Sequence, residues 1–322
     1  MHDGSDWRHI ACAADTAYVP HAAAMLHSVL STQEHASLYC VHFLHGPQFA
    51  DLDRARLKAL VERFGSAIKF HLIPDEWVAE LPDMGRISRV MWYRIFLPEL
   101  VPEAQRLLYL DCDVIAMDGL DALWTLDLSN HYVAAVSNVF EQGYGPRIQS
   151  LGLKDASNYF NSGVLLLNMS LWRAETCTRK ILSFVEERAG ELIWPDQDAL
   201  NSLFAGRWLA LHPRWNCQNS FFYFRHANES FPEKTLQEAV RTPGLLHFEG
   251  GDLAKPWHYL CKNPFREQYF RHLERAGWPR PAIEGANLGN KLLRLLPKTW
   301  ILPALRLGER LRRVIRRLTQ RQ

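Results

Sequence analysis

Two carboxylates stand close together in the stretch RLLYLDCDVIAMDGLDALW, residues 106–124. Asp111 and Asp113 directly follow an apolar run, and positions i and i+2 of a strand or extended turn lie on the same side. Carboxylates that point the same way repel each other unless a cation lies between them. Hard cations that bind substrate phosphates use one or two such carboxylates. The pattern favours a metal site over the alternative, two solvated loop acids of which one caps a turn.

The elements around this pair alternate between strand and helix patterns. Strands are predicted at 8–14, 37–45, 68–73, 90–97, 107–110, 132–137 and 163–168, and helices at 20–30, 52–64, 171–188 and 196–204. Such alternation predicts an α/β fold with a mostly parallel central sheet flanked by helices. Ligands of these sheets bind beyond the carboxyl ends of the strands. Asp15, Asp111 and Asp113 all follow strands at that end.

The composition is that of an ordinary globular protein, with 48% hydrophobic and 22% charged residues among 322. The sequence has no uninterrupted run of 18 apolar residues, so no membrane-spanning helix is expected. The N-terminus lacks the basic-then-apolar pattern of a signal peptide. Six scattered cysteines without a CxxC pair favour a reducing, cytoplasmic setting. The alternative is a secreted protein with three long-range disulfides.

Positive charge is concentrated at the C-terminus. Residues 287–322 contain ten Lys or Arg and one acid, whereas 1–286 hold 27 basic and 34 acidic residues. Leucines and arginines interleave at helical spacing, which predicts a basic amphipathic tail that binds an anionic membrane surface. A helix packed on the body and an RNA-binding tail are the alternatives, and we expect no nucleic-acid partner. The Pro- and Gly-rich stretch 278–290 predicts a linker, with a catalytic domain at 1–286 and the tail at 287–322.

Seven ordered blocks identify the family that the chain resembles. They are AADTAYVPH (13–21), MWYRIFLPELVP (91–102), LLYLDCDVIAMDGLDALW (107–124), YFNSGVLLLNMSLWR (159–173), PDQDALNSLF (195–204), RWNCQ (214–218) and LHFEGGDLAKPWH (246–258). The chain resembles the retaining glycosyltransferases of family 8, particularly the bacterial lipopolysaccharide or lipooligosaccharide galactosyl- and glucosyltransferases. The resemblance implies a single GT-A (nucleotide-diphospho-sugar transferase) domain, a divalent metal (Mn²⁺ or Mg²⁺), and a UDP-galactose or UDP-glucose donor.

The resemblance assigns the metal ligands to Asp111, Asp113 and His247. Two carboxylates and an imidazole are a plausible ligand set for manganese. The family's metal bridges the diphosphate oxygens and stabilises the charge that grows as UDP leaves. A lone His in this position is otherwise more often a half-buried loop residue.

The last block departs from the family's usual spacing. The segment HFEGGDLAKPW is longer between His247 and Lys255 than the common form. The resemblance implies that Lys255 contacts the diphosphate as a point charge. It also implies a glycine in close approach to the diphosphate, for which Gly250 is assigned and Gly251 is the alternative.

The resemblance places nucleotide-binding positions after the first strand and between the two carboxylates. They are Ala13, Asp15, Tyr18 and Cys112, in addition to Asp111 itself. Tyr18 is implied to stack on uracil, and Asp15 to accept a hydrogen bond from ribose or base. Many relatives carry Asn in place of Ala17, so one polar contact differs. Asp15 as a simple turn cap is the alternative.

Five further residues are implied to contact the donor sugar. Arg94 lies in an apolar run and needs a partner, because an unpaired buried charge is costly; a structural salt bridge is its alternative role. Asn161 and Asn138 are assigned to the donor sugar, although Asn161 also suits a turn. Asp196 and Gln197 are assigned to catalysis, and the acid also suits a helix N-terminus.

The implied reaction transfers a hexose from UDP-hexose to a glycan hydroxyl with retention at the anomeric carbon. The acceptor is expected to be lipopolysaccharide core or another lipid-linked saccharide, and the enzyme to lie on the inner face of the cytoplasmic membrane. Retention by double displacement needs a carboxylate nucleophile, but the matching residue is Gln197. Front-face attack is therefore favoured. The alternatives are a UDP-sugar-binding protein without transfer and a self-glycosylating primer like glycogenin.

Overall fold

The computed structural model describes residues 7–83, 89–140, 145–153, 158–223, 227, 230–251 and 254–295. Its strands are β1 (Arg8–Ala13), β2 (Tyr39–His45), β3 (Ala67–Leu72), β4 (Arg106–Leu110), β5 (Val114–Ala116), β6 (Val133–Ala135), β7 (Val164–Asn168), β8 (Trp208–Ala210), β9 (Cys217–Gln218) and β10 (Leu245–His247). Its helices are α1 (Val19–Thr32), α2 (Asp51–Glu62), α3 (Asp75–Val78), α4 (Leu97–Leu100), α5 (Asp121–Trp124), α6 (Gly145–Ser150), α7 (Met169–Ala174), α8 (Cys177–Arg188), α9 (Pro195–Leu203), α10 (Ser220–Tyr223), α11 (Glu233–Arg241), α12 (Arg266–Arg275) and α13 (Leu288–Leu293).

A seven-stranded sheet forms the centre of the molecule, in the order β3-β2-β1-β4-β7-β6-β8. Neighbouring strands are parallel except at β7, which runs antiparallel to both β4 and β6. The predicted α/β fold with a mostly parallel sheet is confirmed, and the reversed β7 makes it a mixed sheet. A second, small sheet of order β5-β10-β9 lies beyond the end of β4.

Hydrophobic side chains cover both faces of the central sheet, as alternation along the strands requires. One face packs against α1, α2 and α12 and includes Val41 and Leu108. The other packs against α7, α8 and α9 and includes Leu44 and Leu107. All six cysteines are buried free thiols, so the three-disulfide alternative is wrong. Across the described ranges, none of the helices combines the length and the apolar composition that crossing a bilayer demands.

Two predicted elements differ from the structure. The segment predicted as a strand at 90–97 is a 3-10 helix, Arg89–Phe96, because a run buried on nearly all sides carries no period that separates strand from helix. The helix predicted at 171–188 is two helices, α7 and α8. Thr176 separates them with a φ of 50°, a left-handed conformation that an α-helix cannot contain.

The predicted tail is described only as far as residue 295, and 296–322 lie outside the described residues. Its first turns contact the body: Arg294 donates to the Tyr259 carbonyl at 3.0 Å and lies over that ring. Leu288, Leu292 and Leu295 are 75%, 61% and 81% exposed. An apolar face of α13 therefore points away from the domain.

A buried histidine pair between α1 and α12 predicts acid sensitivity. The Nδ1 atoms of His27 and His272 are 2.9 Å apart. Burial lowers the pKa of each ring to about 4. At His27, repulsion from His272, Arg63 and Arg275 contributes to this lowering of the pKa. The rings bind protons near pH 6.5 only when unfolded, so the unfolding free energy falls as pH drops from 6.5 towards 4.

We expect this pair to contribute on the order of 2 kcal/mol of that loss. Urea unfolding followed by circular dichroism between pH 7.5 and 5 measures it. The double variant His27→Gln, His272→Gln should reduce the pH dependence by this amount, whereas exposed His35→Gln should leave it unchanged. Equal slopes in the double variant and the wild type would contradict the prediction.

Candidate functional site

The two carboxylates of the Asp-Cys-Asp stretch lie where β4 ends and the small sheet begins. The Asp111 amide donates to the Gly163 carbonyl at 2.8 Å, so the turn is fixed to the start of β7. β10 pairs antiparallel with β5 in a register that places His247 opposite Val114. The small sheet therefore brings His247, more than a hundred residues away in sequence, next to the acid pair.

Asp111, Asp113 and His247 form one cluster whose candidate ligand atoms all lie within 4.8 Å of one another. The His247 Nε2 atom is 3.2 Å from Asp113 Oδ1 and 3.9 Å from Asp111 Oδ2. His247 and Asp113 are buried, whereas the Asp111 side chain remains 28% exposed. The acids are thus not two independent solvated loop residues.

An amide orients the His247 ring so that Nε2 points to the two carboxylates. The ring Nδ1 lies 2.9 Å from Asn216 Oδ1, which can only accept, so Nδ1 donates to the amide and Nε2 is the nitrogen that faces the carboxylates. Burial alone would lower the pKa of His247, but Asp113 and Asp111 outweigh it and raise that pKa. Asn216 Nδ2 donates to Asn161 Oδ1 at 2.9 Å, and Asn161 Nδ2 donates to Asn138 Oδ1 at 3.1 Å. Outer hydrogen bonds of this kind orient metal-binding imidazoles, so the residues present fit a divalent cation.

Gly163 leaves the space in which the cluster sits. A Cβ at this position would lie 2.2 Å from His247 Cε1 and 2.7 Å from Asp111 Oδ2. Both distances are far below van der Waals contact, so any other residue would push two candidate ligands apart. A glycine at position 163 is therefore a packing requirement of the site.

Lys255 forms an ion pair with Asp113 Oδ2 and donates to the Phe248 carbonyl at 3.0 Å. Burial alone would raise the pKa of Asp113, but Lys255 and His247 outweigh it and hold the pKa well below its usual range. The acid therefore remains ionised at neutral pH. Of the two candidate glycines, Gly250 has a φ of +103°, a conformation that L side chains rarely adopt.

Arg94 connects the acid cluster to helix α9. It donates to Asp111 Oδ1 at 2.9 Å and to the Ser162 carbonyl, and its Nε is 3.5 Å from Asp196 Oδ2. Its guanidinium carbon lies 4.3 Å from the centre of the Tyr109 ring. The buried charge of Arg94 is therefore paired with two acids, Asp111 and Asp196. These ion pairs are the structural role given above as the alternative, and they also place Arg94 in the candidate site.

Asp196 and Gln197 are both buried at the start of α9. Burial raises the pKa of Asp196 to about 6, although Arg94 opposes the shift. Gln197 Oε1 accepts from the Ser162 amide at 2.9 Å, and its Nε2 donates to the Tyr159 hydroxyl at 3.1 Å. The two side chains thus converge on the segment before β7 that also carries Asn161.

The predicted nucleotide positions lie at the end of β1. The Cys112 thiol donates to the Ala13 carbonyl at 3.1 Å, which joins this end to the acid pair. Asp15 Oδ1 accepts from the Tyr18 amide at 3.0 Å and caps the 3-10 helix Thr16–Tyr18. Tyr18 is 37% exposed. The capping role of Asp15 is therefore present in this structure, and its second carboxylate oxygen is not used in that bond.

Sequence reasoning missed an aromatic group beside Tyr18. His21 stacks on Trp257 with ring centres 3.7 Å apart and planes at 13°, and its Nδ1 lies 2.5 Å from the Tyr269 hydroxyl. Tyr18 meets both stacked rings edge-on. Asn216 was missed as well. His21, Trp257 and Asn216 all fall inside the quoted family blocks, which was the only signal available for them.

Comparison with known proteins supports the same reading. Residues 9–261 match the family described as Glycosyl transferase family 8. The chain is 30% identical to general stress protein A of Bacillus subtilis over 275 residues, 84% of this chain and 94% of that protein. It is 27% identical to the lipopolysaccharide glucosyltransferase WaaO of Escherichia coli, over 82% of this chain and 77% of that protein.

A solved structure of the galactosyltransferase LgtC, in complex with donor and acceptor sugar analogues, superposes with a TM-score of 0.72. The two sequences are 26% identical, and the superposition covers 89% of this chain and 100% of LgtC. The family match and the likeness to LgtC, together with the mixed seven-stranded sheet, place the chain among the glycosyltransferases of the GT-A fold. The chain belongs to glycosyl transferase family 8.

Proposed function

We propose that the protein is a metal-dependent, retaining hexosyltransferase that moves galactose or glucose from a UDP-sugar to a hydroxyl of a glycan acceptor. The observation that carries the proposal is the cluster of Asp111, Asp113 and His247 beside Lys255. It combines two carboxylates, an imidazole nitrogen and a lysine ammonium at one sheet edge, which suits a metal-bound diphosphate. Lipopolysaccharide or another lipid-linked saccharide is the proposed acceptor, in keeping with the name of the WaaO relative.

In this proposal Asp111, Asp113 and His247 hold Mn²⁺ or Mg²⁺, which supplies positive charge for the departing diphosphate. Asn216 keeps the His247 Nε2 lone pair available. Lys255 exchanges part of its contact with Asp113 for a phosphate oxygen, since both partners are anionic. Gly250, with its positive φ, permits the backbone to approach that phosphate.

The proposed donor pocket extends from Tyr18 to α9. Uracil stacks on the exposed Tyr18 ring, with the stacked His21 and Trp257 pair as a second aromatic wall. The free oxygen of Asp15 accepts from ribose or base. Arg94, Asp196, Asn161 and Asn138 meet the hexose hydroxyls, because these four side chains converge on one segment, the turn before β7.

Retention is proposed to proceed by front-face attack. A double displacement needs a carboxylate at the anomeric carbon, whereas the assigned position carries the amide of Gln197, a poor nucleophile. Asp196 is already paired with Arg94 and accepts from the Ser162 hydroxyl. Gln197 therefore stabilises the oxocarbenium-like state, and the leaving phosphate assists deprotonation of the acceptor hydroxyl.

The experiment that tests this function measures manganese-dependent release of UDP from UDP-galactose and UDP-glucose side by side. We expect release from one donor to exceed that from the other at least about tenfold, because one hydroxyl's hydrogen bond decides between them. Intact mass after incubation with donor separates transfer to an acceptor from self-glycosylation. Binding of UDP-sugar without any metal-stimulated release would refute the enzyme and favour a binding protein.

We further propose that the C-terminal tail attaches the enzyme to the cytoplasmic face of the membrane. Eight Lys or Arg and one Glu fall within 296–322, and each cation near an anionic surface is worth about 1 kcal/mol. The exposed apolar side chains of α13 lead into this segment. Truncation after Leu295 keeps the Arg294 contact with Tyr259 and so preserves the folded body.

The truncated protein should lose at least about tenfold in partition into vesicles that contain anionic lipid, because most of the tail charge is gone. Its release of UDP should stay within about twofold of the full chain. Vesicle co-sedimentation and UDP release measure the two quantities in one preparation, with neutral vesicles as the control. Unchanged sedimentation of the truncated protein would contradict membrane attachment through the tail.

A further inference from the structure

Three potential metal ligands lie together on one face of the central sheet, away from the acid cluster. β1 and β2 are parallel with His9 in register with Cys40, and His42 follows two positions after Cys40. Period-two alternation therefore sends all three side chains to the same face. His9 is also in register with Leu107 of β4, four residues before Asp111. At about 3.3 Å per residue, the group lies roughly 13 Å from the acid pair along the strand.

The ligand atoms of His9, Cys40 and His42 all lie within 4.8 Å of one another. His9 is 6% exposed, Cys40 2% and His42 0%. His9 Nδ1 is 2.9 Å from His42 Nε2. The surrounding face is otherwise built from apolar residues of the core, such as Leu107 and Leu44. Two imidazoles in the middle of such a face are polar groups that need partners, whereas aliphatic side chains there would need none.

His71 of β3 continues the group outward. His42 Nδ1 lies 2.9 Å from His71 Nε2. When His42 donates from Nδ1 to His71, its Nε2 lone pair faces His9 and Cys40. This is the arrangement in which an outer partner orients a metal-binding imidazole. Burial lowers the pKa of His9, His71 and His42, the last to about 3 with help from its His neighbours, so the rings are neutral and able to bind metal.

An exposed carboxylate lies at the rim of the sheet beyond His71. β3 is the edge strand of the sheet, and the half-buried His71 stands between His42 and the rim. There Glu103 pairs with Lys69 at 2.6 Å, with side chains 41% and 53% exposed. Burial lowers the pKa of His9, His42 and His71, Glu103 acts against this shift, and Lys69 adds to it. The rim beyond His71 therefore carries one charge of each sign.

We propose that His9, Cys40 and His42 form a second metal site, selective for a borderline-soft divalent ion such as Zn²⁺. Two imidazole nitrogens and one sulfur are ligands that Zn²⁺ prefers, whereas Mn²⁺ and Mg²⁺ prefer oxygen. The site cross-links β1 to β2 in the core and is separate from the proposed catalytic cation.

The spacing needs only a small adjustment to hold the ion. Metal–nitrogen bonds of about 2.0–2.1 Å at tetrahedral angles place two nitrogens roughly 3.3 Å apart. His9 and His42 therefore separate by about 0.4 Å from their present 2.9 Å. Burial raises the pKa of the Cys40 thiol to about 11, so the thiol is protonated without a cation. On binding, its S–H bond breaks, a sulfur–metal bond forms, and the proton passes to the buffer.

Titration of the full-length, metal-free protein with Co²⁺ tests the site through a signal that only a sulfur ligand gives. One equivalent should produce thiolate-to-cobalt charge-transfer absorption, and Zn²⁺ should abolish it by displacement. Cys40→Ser and His9→Gln should lose the band. Cys177→Ser is the matched control, because burial also raises the pKa of that buried thiol to about 11. Asp113→Asn should keep the band, which separates this site from the catalytic one.

Thermal unfolding gives a second measurement that does not need the Cys40 variant to fold well. A hundredfold excess of Zn²⁺ over its Kd should raise the Tm of the wild type by about 5 °C and that of His9→Gln by far less. A wild type without the cobalt band, or a band that survives in Cys40→Ser, would overturn the proposal. In that case the three imidazoles are a hydrogen-bonded chain only.

Discussion

Asp113→Asn is expected to lower metal-dependent UDP release by about 10³-fold. The metal is worth several kcal/mol of charge stabilisation in such reactions, and this carboxylate faces both His247 and Lys255. Asparagine keeps the shape but removes the charge that binds the cation. Steady-state kcat/KM at saturating Mn²⁺, together with a Mn²⁺ titration, measures the effect.

Asp118→Asn is the matched control for this change. Asp118 lies five residues further on, is exposed, and pairs with Arg214 at 2.7 Å. The same loss of one carboxylate there should change kcat/KM by less than about twofold, since exposed ion pairs contribute little. Turnover of Asp113→Asn within about tenfold of the wild type, with an unchanged requirement for Mn²⁺, would exclude Asp113 as a metal ligand.

Gln197→Ala is expected to lower kcat by roughly 10²-fold while the Kd for UDP changes by less than about threefold. Removing one preorganised polar group aimed at a developing charge costs this order of rate. Gln197 does not reach the acid cluster in this structure; it binds the Ser162 amide and the Tyr159 hydroxyl. Stopped-assay kinetics give kcat, and UDP titration calorimetry gives the Kd.

Asn201→Ala separates a catalytic effect from a packing effect. Asn201 is a buried amide one turn further along α9, and it bonds the Phe160 backbone at 2.7 and 2.9 Å. Its loss should lower the unfolding free energy by about 1–3 kcal/mol and leave kcat of the folded protein nearly unchanged. A large rise in the Kd for UDP in Gln197→Ala would instead assign Gln197 to the nucleotide pocket.

Much of the fold could be predicted because its signals are local. The apolar runs of β1, β2, β4 and β7 and the helix at Pro195 follow from residue type and period alone. The direction of β7 could not be predicted, because an apolar pattern is the same in either direction. Pairing with β4 and β6 determines that β7 runs antiparallel. The strand predicted at 90–97 is wrong for a related reason. Burial on all sides removes the hydrophobic period that separates a strand from a helix.

The sequence by itself determined that two acids end a buried strand, that a glycosyltransferase family's blocks occur in order, and that the C-terminus is basic. Only the tertiary structure decided that Asn216 orients His247 and that His9, Cys40 and His42 meet. The physical reason is that strand register and the small sheet join residues 31 or more positions apart. No spacing within the chain reports such contacts, because they form only when separate strands pair.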